Sequence, residues 1–301
     1  MARSTDPVAL TTFVAYSVLA GGNAVGIRFS NRELDPFWGA TIRFSLTAVI
    51  MLLVMRLARQ RFPRGRALLG ASIYGLLAFG GAFAFAFYAL VELEAGFGQI
   101  LLSIVPLVTI LLAAAQRVET LTVSAVTGAL ISLAGVVILS GVALDGPIPY
   151  LSLLAAFGSG VCFAQASITI KRFPETNPIV VNAVGMTVGA LFLAILTLST
   201  GSAIALPVRT DTWLAIAYMA LIGSGVVFTM YVFLLERWDA SRANFGFVII
   251  PMVTVLVSAW LLDERLTAGL IVGGALVLLG VYFGALRSRT RSAPLHAHTG
   301  H

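Results

Sequence analysis

The chain repeats itself at a spacing of 145 residues, and each copy holds an odd number of membrane-length apolar runs. Pro106, Val108, Thr109, Leu111 and Ala114 recur as Pro251, Val253, Thr254, Leu256 and Ala259. Glu119, Leu121 and Thr122 recur as Glu264, Leu266 and Thr267, and Gly128, Leu133, Gly135 and Val136 as Gly273, Leu278, Gly280 and Val281. These are 12 identities over the 31 positions from Pro106 to Val136, without a gap. Apolar composition explains some of the match, but not the paired Pro, Glu-x-Leu-Thr and Gly positions. The unit is too long for a solenoid repeat. In a membrane it fits two half-transporters around a central site.

Composition supplies the membrane. Of 301 residues, 59% are hydrophobic and 11% charged, with a mean hydropathy of +0.98. Soluble domains carry about 25% charged residues. Ten apolar runs are read as spans, at roughly 8–27, 37–55, 67–90, 96–115, 121–143, 150–170, 179–199, 212–235, 243–262 and 267–286. Lipid offers no partner to open backbone, so such runs cross it as helices. The expected fold is an all-α membrane protein of ten transmembrane helices in two inverted five-helix repeats, 8–145 and 146–286. Segments 1–7 and 287–301 flank them, the latter as a disordered tail. Run one is longer than a signal-peptide core and is read as a retained helix. Pro106 and Pro251 fall inside spans four and nine, where they are expected to kink the helices.

Lys and Arg in the connections orient the chain. One set comprises the N-terminus, the 2–3, 4–5, 6–7 and 8–9 loops and the tail. It holds 14 positives: Arg3, Arg56, Arg59, Arg61, Arg64, Arg66, Arg117, Lys171, Arg172, Arg237, Arg242, Arg287, Arg289 and Arg291. The opposite set holds 4, Arg28, Arg32, Arg209 and Arg265. Both termini are therefore expected in the cytoplasm. Span one then starts inside and span six outside, which inverts the halves and gives the basis for alternating access. The formal net charge of +6 is read as a surface for anionic lipid headgroups rather than for nucleic acid.

Polar groups within the spans need a reason. Gln99 maps onto Asn244 at the offset of 145, and Asn23 onto Gln165 at 142. Amides donate and accept, which suits zwitterionic or neutral polar ligands; the bland alternative is interhelical packing. Spans three and eight correspond at 143, pairing Gly80 with Gly223, Phe85 with Phe228 and Tyr88 with Tyr231. Phe79 and Phe83 are four apart and share a helix face, either as an aromatic wall or as core and lipid contacts. The expected substrate-binding set is Asn23, Gln99, Gln165, Asn244, Phe79, Phe83, Tyr88 and Tyr231. Pro106, Pro251, Gly80, Gly81 and Gly223 are the expected flex points. Gly185/Gly189, Gly269/Gly273 and Gly280/Gly284 are small-xxx-small pairs for close helix packing. Arg43, inside span two, has two readings. It snorkels outward toward Asp35 or Glu33, or it faces protein and holds the bundle or a substrate carboxylate.

The 13 acidic residues fall in termini, loops or span ends, and His296, His298 and His301 lie in the tail. No proton-carrying group is mid-membrane, so an uncoupled carrier is expected. Cys162 is the only cysteine, which leaves neither an intrachain disulfide nor a cysteine metal cluster. No metal, cofactor or catalytic residue is expected. An intramembrane hydrolase needs a Ser–His or paired-Asp site, and the spans offer none. A passive channel would show no saturable exchange.

The in-helix Pro106 and Pro251, Glu119-x-Leu121-Thr122, Leu262-Asp263-Glu264-Arg265-Leu266-Thr267 and the Gly-rich last spans resemble the EamA family of the drug/metabolite transporter superfamily. Ile42-Arg43-Phe44 is similar to that family's intramembrane Arg-Phe element. The first half departs from the pattern, with Arg117-Val118 before its Glu. Within the family the overall pattern looks most like the YddG-type aromatic amino-acid exporters. The resemblance implies a basket-like bundle with a cavity lined by spans one, three, four, six, eight and nine. Glu119 and Glu264 are read as helix N-terminal charges or structural pairs. The expected function is export, across the cell (inner) membrane, of amino acids, aromatic and other neutral ones, and related small metabolites, by a unit working as a monomer among lipids. The alternatives are a multidrug or organic-cation exporter and a proton-coupled metabolite antiporter of the same fold.

Overall fold

A polar cap followed by proline starts three of the helices. Asp6 precedes Pro7, Asp35 precedes Pro36 and Asn177 precedes Pro178, and each cap oxygen accepts an early backbone N–H, from Val8 (3.0 Å), Phe37 (3.0 Å) and Ile179 (2.9 Å). Proline loses nothing in that first turn, where its missing N–H has no helical partner. The second and third of these starts are 142 residues apart, so the duplication reaches the caps. A computed structural model describes residues 6–140, 149–262 and 269–287.

The helices are α1 (Pro7–Asn31, with a turn at Gly21–Gly22), α2 (Pro36–Leu57), α3 (Gly65–Glu92), α6 (Tyr150–Lys171), α7 (Pro178–Ser199), α8 (Thr210–Arg237) and α9 (Ala240–Leu261). These seven are long and apolar enough to cross a membrane. Between them lie α4, in two pieces (Ala95–Leu102 and Val105–Ala115), and α5 (Val123–Ser140); α10 (Gly269–Val281) follows α9 and runs on into Tyr282–Arg287. The last three contain shorter apolar helices. Among the described residues the fold is wholly helical. Leu53, Leu57, Leu191, Ile195, Leu198 and Trp260 all stand exposed on the outside, which water would penalise and lipid does not. Of the second repeat's motif, Asp263, Glu264, Arg265, Leu266 and Thr267 lie outside the described residues, as does the His-containing tail.

Three contacts fix the helix directions. Arg237, ending α8, pairs with Asp6, which starts α1, at 2.5 Å. Arg28, near the end of α1, donates to the carbonyls of Leu90, Val91 and Leu93 at the end of α3. Ser152, at the start of α6, bonds Glu92 at that same α3 end. So α6 starts where α1 finishes, and the halves run in opposite senses. The end holding Asp6 and Arg237 is termed the terminal end, and the other the far end.

Two α3 and α8 segments depart from α-helical pairing. Leu76–Gly81 and Met219–Val226 adopt the wider π turn, and their starts are separated by 143 residues, the repeat offset of these helices. Each packs against a helix of the other half, α7 on the α3 turn and α2 on the α8 turn. The glycines set how close these helices come. A Cβ on Gly75 would overlap the Cα and carbonyl of Gly185, and one on Gly135, in α5, would lie 2.7 Å from the Gly273 carbonyl in α10. Gly189 abuts Phe79, while Gly280 and Gly284 abut the backbone of Gly128. Backbone cannot move aside as a side chain can. Gly75→Ala should therefore cost about 1–3 kcal/mol and lower the melting temperature of the detergent-solubilised protein. Gly225→Ala, whose added methyl meets only an ordinary 3.5 Å contact, should leave it nearly unchanged.

Candidate functional site

The two halves leave a cavity between them. It encloses about 730 Å³, its open mouth included, and draws on α1, α3, α4, α6, α8 and α9. Its walls are aromatic and aliphatic: Phe83, Phe163, Phe228 and Phe247 with Ile27, Leu90, Leu102 and several alanines. Phe83–Phe163 meet edge-on at 5.4 Å, Phe163–Phe247 tilted at 5.2 Å and Phe163–Phe228 nearly parallel at 6.2 Å between centroids, so their faces and edges are fixed before a solute arrives. The polar lining is Tyr16, Asn23, Gln99, Ser159 and Tyr231. Ile27, Ala89, Leu90, Gly98 and Ala156 carry the lining toward the far end.

The sequence-selected residues divide. Asn23, Gln99, Phe83 and Tyr231 line the cavity. Asn244 stands directly behind it: the Tyr231 hydroxyl donates to its Oδ1, and its Nδ2 donates to Thr109 (2.7 Å) and Ser167 (2.9 Å). Three others sit elsewhere. Gln165 pairs with Gln116 (2.7 Å) and Thr169 (3.4 Å) nearer the terminal end. Phe79 packs behind the wall against Phe44, Tyr74 and Phe228. Tyr88 is partly exposed and stacks on Phe37. Gly80 and Gly81 lie in the α3 π turn and Gly223 in that of α8. Pro106 follows the break at Ser103–Ile104 that divides α4, whereas Pro251 sits inside an unbroken helix and the break in α9 falls at Phe245. Tyr16, Ser159, Phe163 and Phe247 complete the wall unforeseen. An apolar run gives no sign of which of its rings turns inward.

Arg43 does not snorkel. It is completely buried, with Nε donating to Ser224 Oγ (2.9 Å) and Nη2 to Asn23 Oδ1 (2.9 Å) and the Gly223 carbonyl (3.4 Å). Its guanidinium lies 4.5 Å from the Phe83 ring centroid and 5.0 Å from that of Phe44, within cation–π range. The α8 π turn makes this possible. Its carbonyls receive side chains: Gly223 O takes Arg43 (3.4 Å) and Asn23 Nδ2 (3.2 Å), and Ala220 O takes Thr47 (3.3 Å). Asn23 fits there because Gly223 has no side chain; a Cβ would land on its amide.

The terminal side of the cavity is closed by directed bonds. Tyr16 donates to the Ala243 carbonyl (2.7 Å), the Asn244 cluster joins α4, α6, α8 and α9, and Arg172 holds the Gln116 carbonyl (2.9 Å). The profile of the EamA-like transporter family matches residues 8–141 and again 150–285. The chain belongs to that family. A probable amino-acid metabolite efflux pump of Escherichia coli K12 is 28% identical over 305 residues, covering 97% of this chain and 98% of the relative. An uncharacterized transporter of Archaeoglobus fulgidus is 26% identical (85% and 91% covered), and the uncharacterized inner membrane transporter YedA of E. coli K12 is also 26% identical (88% and 86%). A solved crystal structure, described only as that of a protein, shares the fold at TM-score 0.76 and 22% identity, covering 95% of this chain and 99% of the other. The protein is a multi-pass inner-membrane transporter.

The EamA Glu of the first half, Glu119, has a structural partner that its position at the start of α5 does not suggest. It caps α9 rather than its own helix. Its carboxylate accepts from the N–H of Ala240 (2.7 Å) and Ser241 (3.4 Å) and from the Ser241 hydroxyl. A buried carboxylate at a helix N-terminus answers open N–H groups and the helix dipole. Burial is the largest influence on its pKa and raises it; the Ser241 hydroxyl pulls the other way, and Asp239 adds to the rise. For a raised carboxyl, the stabilisation linked to protonation is complete below the ordinary pKa and is lost as pH rises through the raised one. Glu119→Gln should flatten that pH dependence of the melting temperature. Glu119→Ala should destabilise by about 1–2 kcal/mol, as a lost cap does.

Proposed function

We propose that the protein exports amino acids, aromatic and other neutral ones, and related small metabolites by alternating access. The observation that carries this is the cavity: an aromatic chamber between oppositely running halves, with a few polar groups on its wall. Such a chamber suits a solute with an apolar side chain and one polar end. The relative named a probable amino-acid metabolite efflux pump, matched over nearly its whole length, points the same way.

In this reading ten helices span the bilayer as two inverted five-helix units, 8–145 and 146–286. The terminal end is cytoplasmic, by the excess of positive loop residues there. The state described is then closed toward the cytoplasm by Tyr16, Asn244 and the Glu119 cap, with the cavity reaching toward the outside. Rocking of the halves would exchange the closed end, with the π turns carrying Gly80, Gly81 and Gly223 as the flexing elements. The lining offers amides, hydroxyls and rings, and among its described residues neither a carboxylate nor an imidazole, which suits uncoupled diffusion. One chain holds the whole cavity, so a monomer suffices.

Counterflow in proteoliposomes with a panel of amino acids and organic cations tests this. Saturable exchange of neutral amino acids is expected, with no uphill accumulation when only a pH gradient is imposed. Asn23→Ala, Gln99→Ala, Phe83→Ala and Tyr231→Ala should each lower that flux by about tenfold, the scale of one lost polar or aromatic contact. Tyr88→Ala, outside the cavity, should not. Accumulation driven by pH alone would replace the uncoupled carrier with an antiporter, and unchanged flux in all four cavity variants would remove the site.

A further inference from the structure

Arg43 is 0% exposed, and among the described residues no carboxylate lies within ion-pair distance of it. Ser224, Asn23, the Gly223 carbonyl and two ring faces surround it, and all are neutral. A buried charge with only neutral partners is expensive, and its field reaches far because little screens it. Two of the groups it touches, Asn23 and Phe83, are cavity wall. The positive potential is therefore delivered to the solute's space, although the guanidinium itself stays behind the wall.

A second observation is independent of the first. Gln99 Oε1 and Ser159 Oγ are buried without a hydrogen-bond partner, and both residues line the same cavity. Gln99 is 8% exposed and Ser159 0%. An oxygen left unpaired in a dry interior is unfavourable, and a donor carried in by the solute removes the cost. One wall thus favours negative charge, and two oxygens await a donor. The remaining surface is hydrocarbon.

We propose that the cavity binds its solute as a zwitterion. The carboxylate is drawn to the wall formed by Asn23 in front of Arg43. The ammonium donates to Gln99 Oε1 and Ser159 Oγ. The side chain lies among Phe83, Phe163, Phe228 and Phe247. This rests on the amino-acid reading above and adds to it the polar groups that select the two ends. Arg43 acts through its field and by holding the Asn23 amide, as a positioning residue. The same field disfavours amines that lack a carboxylate, which separates this cavity from one built for organic cations.

The test compares proteoliposome uptake of phenylalanine, phenethylamine (no carboxylate) and 3-phenylpropionate (no ammonium), and reads ratios rather than rates. Ratios do not move when a variant is merely less abundant. The wild type should prefer phenylalanine to phenethylamine by about tenfold or more, the scale of one charge-assisted contact. Asn23→Asp is nearly isosteric and places a carboxylate against Arg43; it should bring that ratio to about one by cancelling the charge. Arg43→Lys should keep the preference. Gln99→Leu should erase the preference for phenylalanine over phenylpropionate and leave the first ratio intact. Phenethylamine carried as well as phenylalanine by the wild type, or an unmoved ratio in Asn23→Asp, overturns the inference while amino-acid export stands. Phenylpropionate carried in preference to phenylalanine overturns the ammonium half and the amino-acid reading together. A folded wild type that moves none of the three overturns both.

Discussion

A guanidinium in the middle of a membrane bundle, paired only with neutral groups, sets the terms for its surroundings. Arg43 is held by α1 through Asn23 and by α8 through Ser224 and Gly223, so three helices from both halves meet on it. α2 is an unbroken helix there, and the two that meet it are not. The turn at Gly21–Gly22 breaks α1 just before Asn23, and α8 widens into a π turn whose Gly223 carbonyl accepts from the charge. Glycine at position 223 is required by the amide it faces. Charged groups in lipid are tolerated when protein rather than hydrocarbon surrounds them, and this shell is what that condition looks like at atomic scale.

The duplication does not copy the charge. Asp35 and Asn177 are matched caps 142 residues apart, and the same offset carries Arg43 onto Gly185. That glycine meets the backbone of Gly75, beside the α3 π turn. One half thus crosses to its neighbour through a hydrogen-bonded cation and the other through bare backbone contact. Both crossings keep the wide turn and the same pair of helices. The architecture is symmetric where packing decides it and asymmetric where a polar group is used.

The sequence revealed the helices more fully than the directions their side chains take. Apolar runs located the seven membrane-length helices, because a membrane admits few alternatives. The offsets also identified Asn23, Gln99 and Tyr231 as cavity residues. They said which level of a helix mattered but not which side, since helices apolar all round carry no stripe to read. Gln165 and Tyr88 are repeat mates of cavity residues and yet turn elsewhere. Phe79 and Phe83 do share a face, for both reach Phe44 and Phe228, but only Phe83 lies far enough along α3 to meet the cavity. Arg43 offered two directions, and the choice depended on a π turn 176 to 181 residues away that no local pattern announces.

Asymmetry of this kind bears on how such a carrier cycles. The terminal end is shut by directed bonds: Tyr16 to Ala243, Tyr231 to Asn244, Asn244 to Thr109 and Ser167, and Glu119 to the start of α9. Each contributes about 0.5–1.5 kcal/mol net, more where the carboxylate takes part. Opening that end breaks them together, a cost of several kcal/mol unless contacts at the far end replace them. A carrier whose two states differ by more than a few kcal/mol spends nearly all its time in one. The far end must therefore close with comparable strength, or the solute must supply the difference by binding the second state better. The unpaired oxygens of Gln99 and Ser159 belong to the state with its terminal end shut, so pairing them favours that state, and the difference must come from contacts the solute makes only in the other.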